Sequence, residues 1–194
     1  MGNYLKCRVC KSKLFKNPLL SYKNSPLSAQ DFHQNPNQEN NNVTIDIFQC
    51  SKCNLIQHLL PPVSYFRDVI RAVSVSSDIK KFKTSQFQEW VKKNNLIDKN
   101  YIEVGCGTGD YLDLMKNIGM KKVYGLEHSN KNISKCKLKG LNVTEGFLDS
   151  ELSRPNGFPF DAFGIFSFME HWPEPKESLN LLWDLLANDA YGLI

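Results

Sequence analysis

The chain reads as an α/β protein, with an open parallel sheet across its second half and a small module of separate character ahead of it. Three features carry that reading. Residues 101–109, Tyr-Ile-Glu-Val-Gly-Cys-Gly-Thr-Gly, are a short apolar run that breaks into glycines at alternate positions. Beyond them strand-like and helix-like stretches alternate, the signature of parallel strands joined by helices. Before them, four cysteines fall in two pairs, Cys7-Arg-Val-Cys10 and Cys50-Ser-Lys-Cys53.

A length of 194 residues holds one sizeable domain and an appendage. Hydrophobic content of 41% and charged content of 23% are ordinary for a globular chain. A net charge of +4 is too mild to be a nucleic-acid footprint by itself. No apolar stretch approaches the roughly 20 residues that cross a bilayer. The start, Met1-Gly-Asn-Tyr-Leu-Lys6, has no signal-peptide core, and Lys6 breaks the myristoylation pattern. A cytoplasmic protein with no membrane partner is expected, which makes the Asn-x-Ser/Thr triplets at Asn42, Asn132 and Asn142 chance matches.

Residues 1–62 are expected to form the first module. Two Cys-x-x-Cys knuckles bring four thiolates to the corners of a tetrahedron, which suits a structural zinc ion held by Cys7, Cys10, Cys50 and Cys53. The long gap between the pairs is tolerable, because loop-closure entropy grows slowly with length. It holds Gln34-Asn-Pro-Asn-Gln-Glu-Asn-Asn-Asn42, a polar run that reads as surface loop. A redox pair would sit at a helix start in a βαβ setting, and neither pair does. Two unrelated buried thiol pairs are the other alternative, and His33 and His58 are competing ligands that a complete cysteine set makes unnecessary. Lys6, Lys11, Lys13 and Lys16 form either a phosphate patch or a solvated face.

Leu55 to Leu60 is apolar, and Pro61-Pro62 marks a break. Residues 63–98 are expected to be a helical connector. Its pattern is helical from Ser64 to about Lys93, with Phe82, Phe87, Trp90 and Val91 as an inward stripe, and Asn94-Asn95 ends it. Residues 99–194 form the sheet domain. Strands are expected at 101–104, 122–126, 141–145, 160–166 and from Ala190, with helices at 110–118, 130–139 and 178–186.

Gly105, Gly107 and Gly109 allow a tight turn and let a ligand lie against the chain at the start of a helix. The Gly-x-Gly-x-Gly spacing differs from the dinucleotide fingerprint, and no Gly-Lys-Ser/Thr follows to make a P-loop. Glu103 precedes the turn, and Glu127 ends the second strand, where an acid can accept hydrogen bonds from a ribose diol. Together they fit a nucleoside ligand with a positively charged amino-acid tail. The bland alternative is an ordinary glycine turn with solvated acids. Cys106 and Cys136 read as small packing residues.

Glu103-Val-Gly-Cys-Gly-Thr-Gly109, with Glu127 as the second acid, resembles the class I methyltransferases that use S-adenosylmethionine (SAM). The resemblance implies a Rossmann-like sheet and a cofactor site built from Glu103, Gly105, Cys106, Gly107, Gly109, Glu127, Phe147, Leu148 and Ser167. Phe147 stands where an acid commonly meets the adenine, leaving apolar contact by Phe147 and Leu148; Asp149 is either an adenine partner or a helix cap. Phe166-Ser-Phe-Met-Glu-His-Trp-Pro173 is similar to the loop that follows the fourth strand of this class. That likeness implies His171 as a base near the transferring methyl and Glu170 as its orienting partner; bracing the loop is the alternative role. Class I sheets usually have seven strands, so the chain is expected to be truncated after strand five.

The whole arrangement, a four-cysteine module, Cys53-Asn-Leu-Ile-Gln57 and a SAM domain, resembles the deoxysugar C-methyltransferase family of antibiotic and surface-polysaccharide pathways. This implies a small-molecule substrate, a nucleotide-linked sugar, methylated at a carbon beside a ketone. In that family a further Glu-His segment follows strand five, and here it would lie beyond Ile194. Two other readings remain open. One is a ribosomal RNA methyltransferase gripping RNA through the zinc module, against which the modest charge weighs. The other is a protein that binds SAM without turnover.

Overall fold

The structure, a computed structural model, describes residues 6–26, 42–61, 75–149, 152, 155 and 158–194. The expected polar loop at 34–41, His33, Pro62 and the stretch 64–74 of the expected connector helix lie outside the described residues. Two compact units are present, Met1–Ile70 with Pro173–Lys176, and Arg71–Trp172 with Glu177–Ile194. Among the described residues, no helix is long and apolar enough to cross a membrane.

The first unit holds three strands that the sequence reading missed: β1 (Leu20–Pro26), β2 (Asn42–Gln49) and β3 (Ile56–His58). They form one antiparallel sheet in the order β1-β2-β3. β1 hid itself because its sequence, Leu-Ser-Tyr-Lys-Asn-Ser-Pro, reads as turn. The ladder slips between Tyr22 and Ser25, where Asn24 takes a left-handed φ of 55°, so a bulge absorbs the turn-forming residues. Among the described residues of this unit, only Cys7, Cys50 and Gln57 are buried. A sheet with so little apolar interior needs another source of stability.

The second unit begins with helix α1 (Ser77–Lys93), whose Ser76 side chain accepts a hydrogen bond from the Ile79 amide. It continues through β4 (Asn100–Val104), α2 (Asp110–Ile118), β5 (Lys122–Glu127), α3 (Asn130–Leu138), β6 (Asn142–Glu145), β7 (Phe160–Ile165), a 3-10 turn (Met169–His171), α4 (Pro175–Trp183, its first residues clustering with the first unit) and β8 (Leu186–Leu193). The five strands are parallel in the order β6-β5-β4-β7-β8. The chain moves outward from β4 to β6, then returns to the other side of β4. This reversal puts the topological switch point at the carboxyl ends of β4 and β7, the edge where open α/β sheets bind ligands.

Phe87 and Val91 of α1 and Leu112, Leu114 and Met115 of α2 pack with Tyr101, Val123, Cys136, Leu141 and Ala162 into one core. Phe82 does not join them; it is 64% exposed. At 100° per residue it stands roughly 140° around the helix from Phe87, so the two cannot share a face. Two late elements also begin earlier than their patterns suggest. α4 starts at Pro175, since proline suits a first helical turn, and β8 starts at Leu186 because Asn188 and Asp189 conceal a strand.

Phe87→Ala is expected to destabilise the protein by about 3–5 kcal/mol in urea denaturation. Phe82→Ala should stay within about 0.5 kcal/mol.

Candidate functional site

β4 ends at Val104 and the chain turns at once, with Gly105 at φ 72° and Gly109 at φ 75°. Both positions also demand the absence of a side chain. A Cβ on Gly105 would enter the Phe168 ring, and one on Gly109 would lie 2.6 Å from Leu141 Cδ1 and 2.9 Å from Cys136 Sγ. Phe168 and Leu141 are themselves buried, so neither can retreat freely.

The turn is fixed from two sides. Glu127, at the end of β5 and 4% exposed, accepts hydrogen bonds from the Gly107 amide (2.9 Å, at Oε2) and the Ser129 amide (2.9 Å, at Oε1). Asn132 Nδ2 adds a longer bond of 3.4 Å. A carboxylate has about four acceptor positions, so it retains capacity for ligand hydroxyls. On the other side, Lys139 Nζ donates to the Thr108 carbonyl at 2.8 Å and meets Asp110 Oδ1 at 2.7 Å, while Thr108 Oγ1 donates to Asp110 Oδ2. Burial raises the Asp110 pKa, but the Lys139 and Thr108 bonds outweigh it and hold the carboxyl below its ordinary value.

Glu103 is 2% exposed, and its Oε2 is buried with no hydrogen-bond partner among the described residues. Burial, followed by the nearby Cys136, Asp110 and Glu127, pushes its carboxyl well above the carboxylate range. An orphaned buried carboxyl beside a glycine turn suits a cationic donor on a ligand. Cys106 is buried, its sulfur occupying the space a Cβ on Gly125 would need. A hydrogen bond with Cys136, then burial, raises its pKa strongly, so it stays a neutral packing thiol.

The remaining expected site residues follow β6 and β7. Phe147 stacks on His128, ring centroids 4.6 Å apart at 24°, whereas Leu148 is buried at 5% exposure and its carbonyl accepts a bond from Ser178 Oγ. Sequence reasoning missed His128, whose signal is its place directly after the strand-end acid; its Nδ1 lies 3.3 Å from Glu127 Oε1. Ser167 is exposed with φ 49°, a strained conformation for serine of the kind that gathers at functional sites. His171 sits half-buried on the 3-10 turn, 6.5 Å from the Phe168 ring by centroids. Glu170 is exposed, and among the described residues no hydrogen bond or ion pair joins it to His171. The expected orienting contact is therefore absent, because neighbours on a 3-10 turn project about 120° apart. Phe166 was not anticipated either. It stacks on Phe87 at 5.3 Å and meets Tyr111 edge-on at 5.0 Å, with Lys83 Nζ 5.7 and 5.9 Å from the Phe87 and Phe166 centroids.

In the first unit, the Sγ atoms of Cys7, Cys10, Cys50 and Cys53 all lie within 4.8 Å of one another. Cys7 and Cys53 are 3.6 Å apart, and Cys10 and Cys50 are 3.4 Å apart. Those separations are far beyond a disulfide and near the ~3.8 Å edge of a tetrahedron with zinc–sulfur bonds of about 2.3 Å. Each knuckle is built alike: Lys11 and Asn54, one residue past the second cysteine, have φ 57° and 61°. Amides of Cys10, Lys52 and Cys53 point at the first sulfur of each pair, at 3.5, 3.4 and 3.5 Å, an outer shell typical of thiolate ligands. The Ser12 side chain and backbone bring the Cys10 thiol down to about 6. His58 is not part of the cluster, and Lys6, Lys11, Lys13 and Lys16 are exposed.

The five parallel strands, the glycine turn after β4 and the acid ending β5 define the class I SAM-dependent methyltransferase fold. Residues 83–182 match the family described as methionine biosynthesis protein MetW, and the chain belongs to that family. The match leaves the four paired cysteines, all before residue 83, outside it. The chain is similar to a mitochondrial ubiquinone biosynthesis O-methyltransferase of Dictyostelium discoideum, 28% identical over an alignment of 114 residues that covers 50% of this chain and 36% of that protein. Its fold is like that of the plantazolicin methyltransferase BpumL, solved with SAH, at TM-score 0.50 and 17% identity over 61% of this chain and 48% of that one. Coclaurine N-methyltransferase, also solved with SAH, gives TM-score 0.50 and 11% identity over 62% of this chain and 37% of that one. The chain thus spans half or less of the length of these relatives.

Gly105→Ala combines a left-handed backbone with an overpacked core, and a loss of about 2–4 kcal/mol is expected in chemical denaturation.

Proposed function

We propose that the chain is a SAM-dependent methyltransferase acting on a small molecule, with a nucleotide-linked sugar as the substrate class. The observation that carries the cofactor reading is the convergence of two buried acids on one glycine turn: Glu127 bonded to the Gly107 amide and Glu103 with an unpartnered oxygen. Glu127 would accept the ribose hydroxyls, Glu103 would face the ammonium of the amino-acid tail, and Gly105, Gly107 and Gly109 let the nucleoside lie against the backbone. Cys106 supports the turn from beneath. His128 and Phe147 offer a ring surface to the adenine, with Leu148 and Ser167 on neighbouring loops.

SAM supplies a methyl on a sulfonium sulfur, a leaving group that needs no acid from the protein. What remains for the chain is alignment and, for a hydroxyl or acidic carbon as nucleophile, a base. His171, half-buried at the carboxyl end of β7, is the proposed base. The sugar reading is supported by the four-cysteine unit with Cys53-Asn-Leu-Ile-Gln57 ahead of a SAM domain. We assign the domains as a zinc module over 1–62, a helical connector over 63–98 and the methyltransferase domain over 99–194, in a cytoplasmic protein.

Zinc on Cys7, Cys10, Cys50 and Cys53 is supported by the near-tetrahedral sulfur spacing and by the scarcity of buried side chains among the described residues of that unit.

Isothermal titration with SAM tests the cofactor reading. Binding by the wild type and loss of at least about tenfold in affinity in Glu127→Ala are expected, with Gly107→Arg abolishing binding. A folded wild type that binds no SAM would sink the proposal. For the metal, elemental analysis of the purified protein should find about one zinc per chain, and Cys50→Ser should contain almost none.

A further inference from the structure

Tyr101 and Glu103 stand two residues apart on β4, so their side chains leave the same face of the sheet. Tyr101 is fully buried and its Oη, like Glu103 Oε2, has no hydrogen-bond partner among the described residues. The neighbouring strand shows how close these two groups are. Gly164 of β7 is the register partner of Glu103, and the Tyr101 hydroxyl fills the space that a Cβ on Gly164 would occupy. Directly paired residues of adjacent strands share a face, and the strands are about 4.8 Å apart. The phenol oxygen therefore lies on the same face as the Glu103 side chain and beside it. Phe166 closes the same space, its ring Cε2 2.9 Å from that Cβ position, and Phe87 and Tyr111 pack against Phe166 from outside.

We propose that Tyr101 is a positioning residue for the amino-acid end of the cofactor: its O–H donates, through one bridging water, to the Glu103 carboxylate and keeps that carboxylate turned toward the glycine turn. This rests on the SAM reading above. Two buried polar groups left unpaired are each costly, and a shared water satisfies both. Burial keeps Tyr101 a neutral phenol, with its pKa raised further by Glu103, so the hydroxyl remains a donor. Burial and nearby negative charge favour the neutral form of Glu103. A donor aimed at the carboxylate opposes that and favours the charged form a cationic ammonium needs. Gly164 becomes part of the device, since any larger residue would displace the hydroxyl.

The test compares SAM with 5′-methylthioadenosine, which has the same nucleoside and sulfur but no amino-acid tail. In calorimetric titrations, Tyr101→Phe should weaken SAM roughly tenfold and leave methylthioadenosine within about twofold of wild type. On a Glu103→Gln background, Tyr101→Phe should add less than about twofold to the SAM loss, because the tyrosine acts through the acid. Equal weakening of both ligands, or of neither, would overturn the inference and leave the SAM reading intact. A wild type that binds neither ligand would overturn both. As a control on placement, Gly164→Ala should lower the melting temperature less in the Tyr101→Phe protein than in wild type; an equal drop contradicts the position of the hydroxyl.

Discussion

One carboxylate ties the second unit together where the ligand crevice opens. Glu127 ends β5 and bonds the Gly107 amide in the turn after β4 as well as the Ser129 amide at the start of α3. Two loops from adjacent strands are thus fixed to a single side chain, inside a region of low dielectric where charge-assisted bonds are strong. The glycines make the turn sterically possible, but they do not choose one geometry among the many open to them. Glu127 and Lys139 choose it. Once the turn is held, the order β6-β5-β4-β7-β8 brings the loops after β6 and β7 to the same edge of the sheet.

The electrostatics of that edge point toward a positively charged ligand. Glu103, Glu127 and Asp110 surround the turn, and among the described residues Lys139 is the cation that touches it, already paired with Asp110 and the Thr108 carbonyl. Burial first, and then the nearby Cys136, Asp110 and Glu127, push the Glu103 carboxyl well above the carboxylate range. A cation entering the turn would relieve the repulsion, whereas a phosphate would meet it unfavourably. The same reasoning separates this turn from phosphate-binding glycine loops, where backbone amides face the ligand without buried acids beside them.

The sheet and the turn were legible in the sequence because their signals are local: an apolar run, alternate glycines, and an acid at the next strand end. Glu127 bonds the Gly107 amide, and Glu103 lies in β4 two residues before Gly105. The contacts that fix them were not legible. Lys139 reaches the turn from the end of α3, and Phe166 finds Phe87 and Tyr111 across two elements, so neither pairing leaves a trace in residue spacing. The Phe147–His128 stack was half visible, in Phe147 but not in its partner. Phe82 shows the opposite failure, where a loose hydrophobic count put an exposed ring on the buried face. In the first unit the cysteines were plain, while β1 escaped because a bulged strand can carry lysine, asparagine and proline. Among the described residues of that unit only Cys7, Cys50 and Gln57 are buried, so hydrophobic pattern has little there to report.

The turn after β4 and the acid ending β5 are together the proposed seat of a SAM-type nucleoside. Hydrogen–deuterium exchange followed by mass spectrometry, with and without S-adenosylhomocysteine, tests it most directly. Slowed exchange in peptides covering residues 103–109 and 127–130 is the expected result. Unchanged exchange in both segments under saturating ligand, or protection confined to the three-stranded unit, would contradict it.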